Sequence, residues 1–510
     1  MAKVDPFPHY WLTDLFRFLL VSLNIESILQ ESTIHRRRER LSKMIDGPGL
    51  EGVYGATIER IKAQDGDKAK LGLGALMWIS HAERPLTADD LCHALAIELG
   101  SRDLNHDNIP SIATLVGCCQ GLISVDKEQT TVRLIHFTLK EYFSARPDVF
   151  NRPHSTIAEI CLTYLNSDPV KALPGKLSVN TRVCSCSGPR PDELGPFLGY
   201  CSLYWGVHAK KELSDCARLL SLELLHEYDY HISIRFLVEH IDDPDYFPGD
   251  CIRLSGLHCA SFFGIVEVVV ALVEMRGYTT SECFFLGTSP LAWAARNGHE
   301  EVVKIFLGRE DVDPNEADDS YRTPLHYAAA GGNEEVVKML LQRDEVNPDM
   351  EEMFGRTPLA YAARGGFLEV VEILLGRQEV NPNTPDSLRL TPLSYAAARR
   401  GEGIVKILLG REEVTPDIAG YNGRTPLSYA AEWGNVEAVK MLLGRKEVNP
   451  DSSDRDGRTP LSWAVAGEHE GVAKILLGRE EVNPDKLDKN GLTPRMFAAR
   501  VKSMAWMTLL

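Results

Sequence analysis

The sequence predicts a mainly α-helical protein whose second half is a solenoid of short helix pairs. Two observations predict this. Prolines recur every 34 residues, at Pro290, Pro324, Pro358, Pro392, Pro426, Pro460 and Pro494, and a fixed period of that size marks a repeat architecture. Ahead of them apolar residues recur mostly at helical spacing, and only two short runs, 122–125 and 132–136, read as strands.

Length and composition frame the rest. The 510 residues suggest about three units at roughly 100–200 residues per domain. The chain is 44% hydrophobic and 25% charged, with net charge −17, which is ordinary for a globular protein. No apolar run reaches the roughly 18 residues of a membrane span; the nearest, 15–23, is interrupted by Arg17. No secretory signal is expected from the start of the chain. The 11 cysteines follow neither metal nor disulfide spacing, and Cys184 and Cys186 read as plain thiols. An odd count without a glycosylation sequon points to an intracellular, cytoplasmic setting, with the nucleus as the alternative. The acidic charge is spread along the chain, and Arg36, Arg37, Arg38 and Arg40 read as a solvated helix face, so no nucleic-acid footprint is expected.

In order along the chain, residues 1–67 read as a helical segment. An amphipathic helix over 10–45 ends at Asp46-Gly-Pro-Gly49, and a second runs from Tyr54 to about Gln64. Residues 68–150 form a compact unit. An apolar helix covers 71–80, Thr87 caps a second before Leu91 and Leu95, and Ile112, Leu115, Val116 and Cys119 stripe a third; the two strands follow around a turn at 126–130. Three helices and a hairpin in this order make a winged helix. Residues 151–255 read as a helical linker, with helices over 154–165, 197–211, 213–226 and 231–240, and a Pro/Gly/Ser-rich stretch at 167–196 expected to be disordered.

Residues 256–510 carry the repeat: a degenerate copy at Gly256, then seven copies that vary around Thr-Pro-Leu-x-aromatic-Ala-Ala, a glycine, Val-Val-Lys-x-Leu-Leu and Asn-Pro-Asp. In the copy at Pro426, Thr425 is placed to cap a first helix and the proline fixes φ in its first turn. Ala430 and Ala431 let helices approach, Gly434 stops and reverses the chain, and Val439, Met441, Leu442 and Leu443 give the second helix its apolar face. Asn449-Pro450-Asp451 opens a turn-rich connector that runs to Gly457.

These motifs resemble the ankyrin-repeat family, whose projecting hairpin fingers the connectors match; this resemblance covers 256–510. The segments Leu76-Met-Trp-Ile-Ser-His-Ala-Glu-Arg-Pro85 and Val132-Arg-Leu-Ile-His-Phe-Thr-Leu-Lys-Glu-Tyr142 resemble the winged helix of fungal NACHT–ankyrin proteins, also found under the label GPI inositol-deacylase winged helix. Phe197-Leu-Gly-Tyr-Cys-Ser-Leu-Tyr-Trp-Gly-Val-His-Ala209 is similar to their helical linker. The resemblance implies an NLR-like signalling receptor with the array as sensor. The family's P-loop, Gly-x-x-x-x-Gly-Lys-Ser/Thr, has no counterpart in this sequence. Without its amides and lysine there is no phosphate cradle, so neither nucleotide nor any other cofactor is expected. Gly49-Leu-Glu-Gly-Val-Tyr-Gly55 lacks the lysine and reads as a loop and helix start.

The function expected is therefore non-enzymatic: a scaffold or sensor that binds a protein through the concave ankyrin face. Two alternatives stand beside it, a nucleic-acid regulator acting through the winged helix and the C-terminal part of an active NACHT NTPase. The stretch from Ile109 to Gln120 has no lysine, arginine or asparagine for base edges, which argues against the first. No catalytic or metal-binding motif occurs, and His136 and His326 read as structural. The stripe Trp293, Tyr327, Tyr361, Tyr395, Tyr429, Trp463 and Phe497 reads as packing between first helices, and the arginines at 309, 343, 377, 411, 445 and 479 as partners of helix-end carbonyls and nearby acids. The candidate partner-binding set is Arg322, Arg356, Arg424 and Arg458, expected at finger tips and interrupted at Leu390, with Arg399, Arg400 and Trp433 beside the interruption. The competing reading pairs these arginines with finger acids such as Asp319, Asp454 and Asp456. An acidic protein segment is the expected ligand. Met504, Trp506, Met507, Leu509 and Leu510 form an apolar terminal edge expected to be covered, by self-association or a partner, unless the chain is truncated there.

Overall fold

The computed structural model describes residues 32–37, 49–126, 128–173, 196–240, 254–275, 287–399 and 401–500. Most of the 10–45 helix, Arg38, Arg40, residues 174–195 with Cys184 and Cys186, Arg400 and the terminal edge at 501–510 lie outside the described residues. The chain divides into two compact units, Met1–Gly256 and Leu257–Leu510. The described residues are mainly helical, with one three-stranded sheet among them.

In the first unit α1 (Gly49–Lys62) and α2 (Gly66–His81) precede β1 (Leu86–Thr87), α3 (Ala88–Ala96), α4 (Ile112–Cys118), β2 (Ile123–Val125), β3 (Thr131–Leu134) and α5 (Phe137–Ala145). Gly49, Gly52 and Gly55 lie inside α1, so the loop expected there is helix from Gly49 onward. Thr87 caps α3 in a capping box with Asp90. β3 is the central strand: Val132 pairs with Leu86 of β1 on one side and Val125 of β2 on the other. Leu76, Trp78, Leu91, Leu115, Leu122, Val132 and Leu139 are buried together as its core. Gly72 sits mid-helix because α4 comes too close for a side chain: a Cβ there would stand 2.8 Å from the Cys118 carbonyl oxygen. His136 is structural, as expected, accepting a hydrogen bond from the Thr138 amide at the start of α5.

The helices that follow pack onto this core. They are α6 (Pro153–Leu165), α7 (Asp168–Lys171), α8 (Pro196–Lys211), α9 (Asp215–His226) and α10 (Ser233–Glu239). Trp78 of α2 meets Phe197 and Tyr200 of α8 edge-on, at 5.9 and 5.6 Å between ring centroids. Such contacts add about 0.5–1.5 kcal/mol beyond area burial. Buried Asp90 takes a 2.9 Å ion pair from Arg84, whose guanidinium also lies over the Tyr200 ring. The winged helix is thus fastened to α8 by both apolar and charged contacts.

The second unit is the array. Each regular repeat places its proline at the first turn of a first helix of 7 or 8 residues, such as Pro324–Gly331 or Pro426–Glu432, and follows it with a second helix of 8, such as Glu334–Leu341 or Val436–Leu443. Ser289, Thr357, Thr391, Thr425 and Thr459 each accept a hydrogen bond from the amide three residues on. This satisfies a donor that a helix start leaves open. Gly434 has φ 68°, the left-handed turn that reverses the chain between helices. Residues at the start of the second helix then cap the preceding repeat: Asn333 donates to the Ala295 and Arg296 carbonyls, Asn435 to that of Arg399, and His469 bonds to that of Glu432.

Candidate interaction surface

The array has two edges and a helical face. At one edge lie the ends of the second helices. Arg343, Arg411, Arg445 and Arg479 reach back to the carbonyls of Leu307, Leu375, Leu409 and Leu443, the last residues of the preceding second helices. Arg309, Arg343, Arg377, Arg411 and Arg445 each pair with an acid two residues on. The carbonyl half of the reading holds for four of the six arginines and the acid half for five.

At the other edge the fingers pair in series. Met353 donates its amide to the Ser320 carbonyl, Ser387 to Phe354, Tyr421 to Leu388, Arg455 to Asn422 and Lys489 to Asp456. Each finger turns on a residue with positive φ: Tyr321, Gly355, Arg389, Gly423, Gly457 or Gly491. Asp318, Asp386, Asp454 and Asp488 brace the turns by accepting main-chain amides.

Three arginines of the candidate set are folded inward rather than displayed at tips. Arg322 binds buried Asp318 at 2.9 Å and lies 5.0 Å over the Tyr327 ring. Arg356 binds buried Glu352 at 3.0 Å and lies 5.2 Å over Tyr361. Arg424 pairs with Glu432 and is sandwiched between Tyr429 and Trp463, at 4.3 and 3.9 Å. All three are buried. Arg458 keeps partial exposure, 3.8 Å from Asp488, with Trp463 and Phe497 on either side. The reason is local: the finger's return brings each arginine back over an aromatic ring, and a carboxylate within reach neutralises it. The partners are Asp318, Glu352, Glu432 and Asp488 rather than the expected Asp319, Asp454 and Asp456. The aromatic stripe is the other half of this layer, with Trp293, Tyr327 and Tyr361 buried and Tyr395, Tyr429, Trp463 and Phe497 half-buried.

Arg399 and Trp433 are different. Both end first helices of adjacent repeats, both are exposed, and Trp433 shows 58% of its surface. The sequence reading missed a second exposed group at the finger tips: Tyr321, Met353, Phe354, Leu388 and Tyr421, each 37–59% exposed. They occupy four successive fingers and are linked by the pairing just described. Their signal was present, since large apolar residues stand in connectors made mostly of polar residues, Pro and Gly.

His326 and His258 are structural. Each is buried and bonds a carbonyl of the next finger, Arg356 at 3.2 Å and Thr288 at 2.9 Å. Burial pushes both imidazoles down to about 4.

Paired short helices, finger ladder and inter-repeat caps define a repeat-array binding module. The family described as ankyrin repeats (3 copies) matches in overlapping stretches from 257–351 to 394–488. The C-terminal half is an ankyrin-repeat array. The family described as GPI inositol-deacylase, winged helix domain matches residues 60–148. No curated protein matches the chain. Among the described residues no helix is long and apolar enough to cross a membrane.

Proposed function

We propose that this chain is a non-catalytic interaction protein of the NLR-like, NACHT–ankyrin signalling type, and that its array binds a protein partner along the finger tips and first-helix ends. The observation that carries the reading is the run of exposed apolar side chains on four successive fingers, with Trp433 and Arg399 on the neighbouring helix ends. Contiguous exposed apolar groups mark interaction sites, and Trp and Arg are frequent anchors. Arg322, Arg356, Arg424 and Arg458 support the face from beneath by holding the fingers. Exposed Arg389 and Arg399 favour a partner segment that carries an acidic group among its apolar side chains.

The third helix of the winged helix does not favour nucleic acid. The solvent side of α4 presents Ser111, Ala113, Thr114 and Gly117, and none of these is the arginine, lysine or asparagine that reads base edges.

The test compares partners captured by the full chain with those of Leu388→Ser/Tyr421→Ser and of Trp433→Ala. Losing a central interface Trp costs on the order of 2 kcal/mol, roughly 30-fold in affinity. The proposal predicts that the double variant loses the partner and Trp433→Ala weakens it by about that factor. Retention of every partner at unchanged affinity by folded variants places the binding face elsewhere.

A further inference from the structure

In the first unit, away from the array, Glu83, His154 and His208 converge from three separate segments: the loop between α2 and β1, the start of α6 and the end of α8. One ligand atom from each lies within 4.8 Å of the others. The two imidazoles face each other through Nδ1, 2.8 Å apart. On the far side of His208, Nε2 meets the Tyr200 hydroxyl at 2.8 Å, and that hydroxyl also accepts the Glu83 amide at 3.2 Å. His81 stacks edge-on against His154, its Nδ1 engaged with Ser80 and the Met77 carbonyl.

We propose that Glu83, His154 and His208 form a site for a divalent transition-metal ion, zinc foremost, which clamps the winged helix to the helices that follow it. The donor set is the one zinc takes, imidazole nitrogen and carboxylate oxygen, with a fourth position left for water. Two nitrogens each about 2.0–2.1 Å from a zinc ion stand roughly 3.4 Å apart in tetrahedral geometry. The histidine pair therefore has to open by only about half an ångström. Tyr200 serves as the outer partner that fixes the His208 ring, since a metal-bound imidazole needs an acceptor for its other N–H. Burial, and then the nearby Lys211, keep His154 below its ordinary range; burial, then His154 and Lys211, take His208 down to about 3.

Lys211 is the group to be displaced. Its ammonium holds Glu83 Oε1 at 2.5 Å, yet its side chain is 46% exposed, so it can swing to water and leave the carboxylate to the ion. The zinc-free arrangement, a lysine–glutamate pair beside a histidine–histidine hydrogen bond, reads as the resting form of the same site.

The test uses the full chain, stripped with chelator, desalted and titrated with zinc chloride alone in a calorimeter, with cobalt(II) as a spectroscopic stand-in. Wild type is expected to take up one ion whose removal lowers the thermal midpoint. The cobalt form should show tetrahedral visible bands without thiolate charge transfer, since no cysteine is in the set. Glu83→Gln and His154→Ala both alter groups that reach solvent, so the core should fold; each should weaken this uptake at least tenfold. His208 is fully buried, and the outcome does not depend on replacing it. Absence of stoichiometric zinc from wild type, thiolate bands in the cobalt form, or equal affinity in wild type and the folded Glu83→Gln/His154→Ala double variant would overturn the proposal.

Discussion

The two units are held together in contrasting ways. In the array the same contacts recur from copy to copy: a threonine or serine cap, two alanines and a glycine turn within a copy, and an arginine tie that reaches only the neighbouring one. In the first unit nothing repeats, and single residues join distant segments, as Trp78 does to Phe197 and Tyr200 and Asp90 to Arg84. A stack of nearest-neighbour contacts spreads stability over many small equal contributions. An aperiodic core concentrates it in a few side chains.

The sharpest test of that contrast is Trp78→Ala. The side chain is fully buried at the junction of α2 and α8, and such truncations cost about 3–5 kcal/mol. Urea unfolding followed by circular dichroism should show the first unit's transition moved far down while the array's stays in place. A common shift of both transitions would mean that the units do not unfold independently.

Acid should act on the array through His326 and His258. Their folded values of about 4 lie below the ordinary value near 6.5. Between those limits the unfolded chain binds more protons than the folded one, so stability falls as pH drops from about 6.5 towards 4. Each histidine contributes at most about 1.4 kcal/mol per pH unit in that window. His326→Gln should flatten the slope of array stability against pH between 6.5 and 5. An unchanged slope would assign the acid sensitivity to other groups.

The smallest effect belongs to a single cap. Thr425→Ala should cost about 1 kcal/mol, measured as a shift in the array's denaturation midpoint, with the first unit unaffected. A loss several times larger would show that the repeats are coupled beyond their neighbours.

The same contrast explains what the sequence made legible. The first helix of each regular copy begins at the proline that the 34-residue spacing marks, because every copy restates the same local signals. The three helices and hairpin of the winged helix were also readable, from Thr87's cap and the Ile112–Leu115 stripe. β1 was not: Leu86–Thr87 is two residues long and exists only through pairing with Thr131 and Val132. Nor was α5, nine residues long and read only as part of a resemblance. The inward turn of Arg322 and Arg356 depends on carboxylates four residues earlier in a finger whose return path no pattern specifies. Glu83, His154 and His208 have no motif spacing at all, since packing alone brings them together.

The arginine ties at the ends of the second helices give the array a mechanical grain. Arg343, Arg411, Arg445 and Arg479 stitch one copy to the last carbonyl of the one before. Arg377 breaks the series: its Nε makes no hydrogen bond among the described residues and only a long ion pair, 3.6 Å, with Glu379. The next finger has Leu390 where its neighbours carry an arginine over an aromatic ring. A load applied along the array would therefore open it first between the copies that begin at Pro324 and Pro358, next to the Leu390 finger. Exposed Met353 and Phe354 stand in the finger between those two copies, so the partner proposed above would act there as a splint.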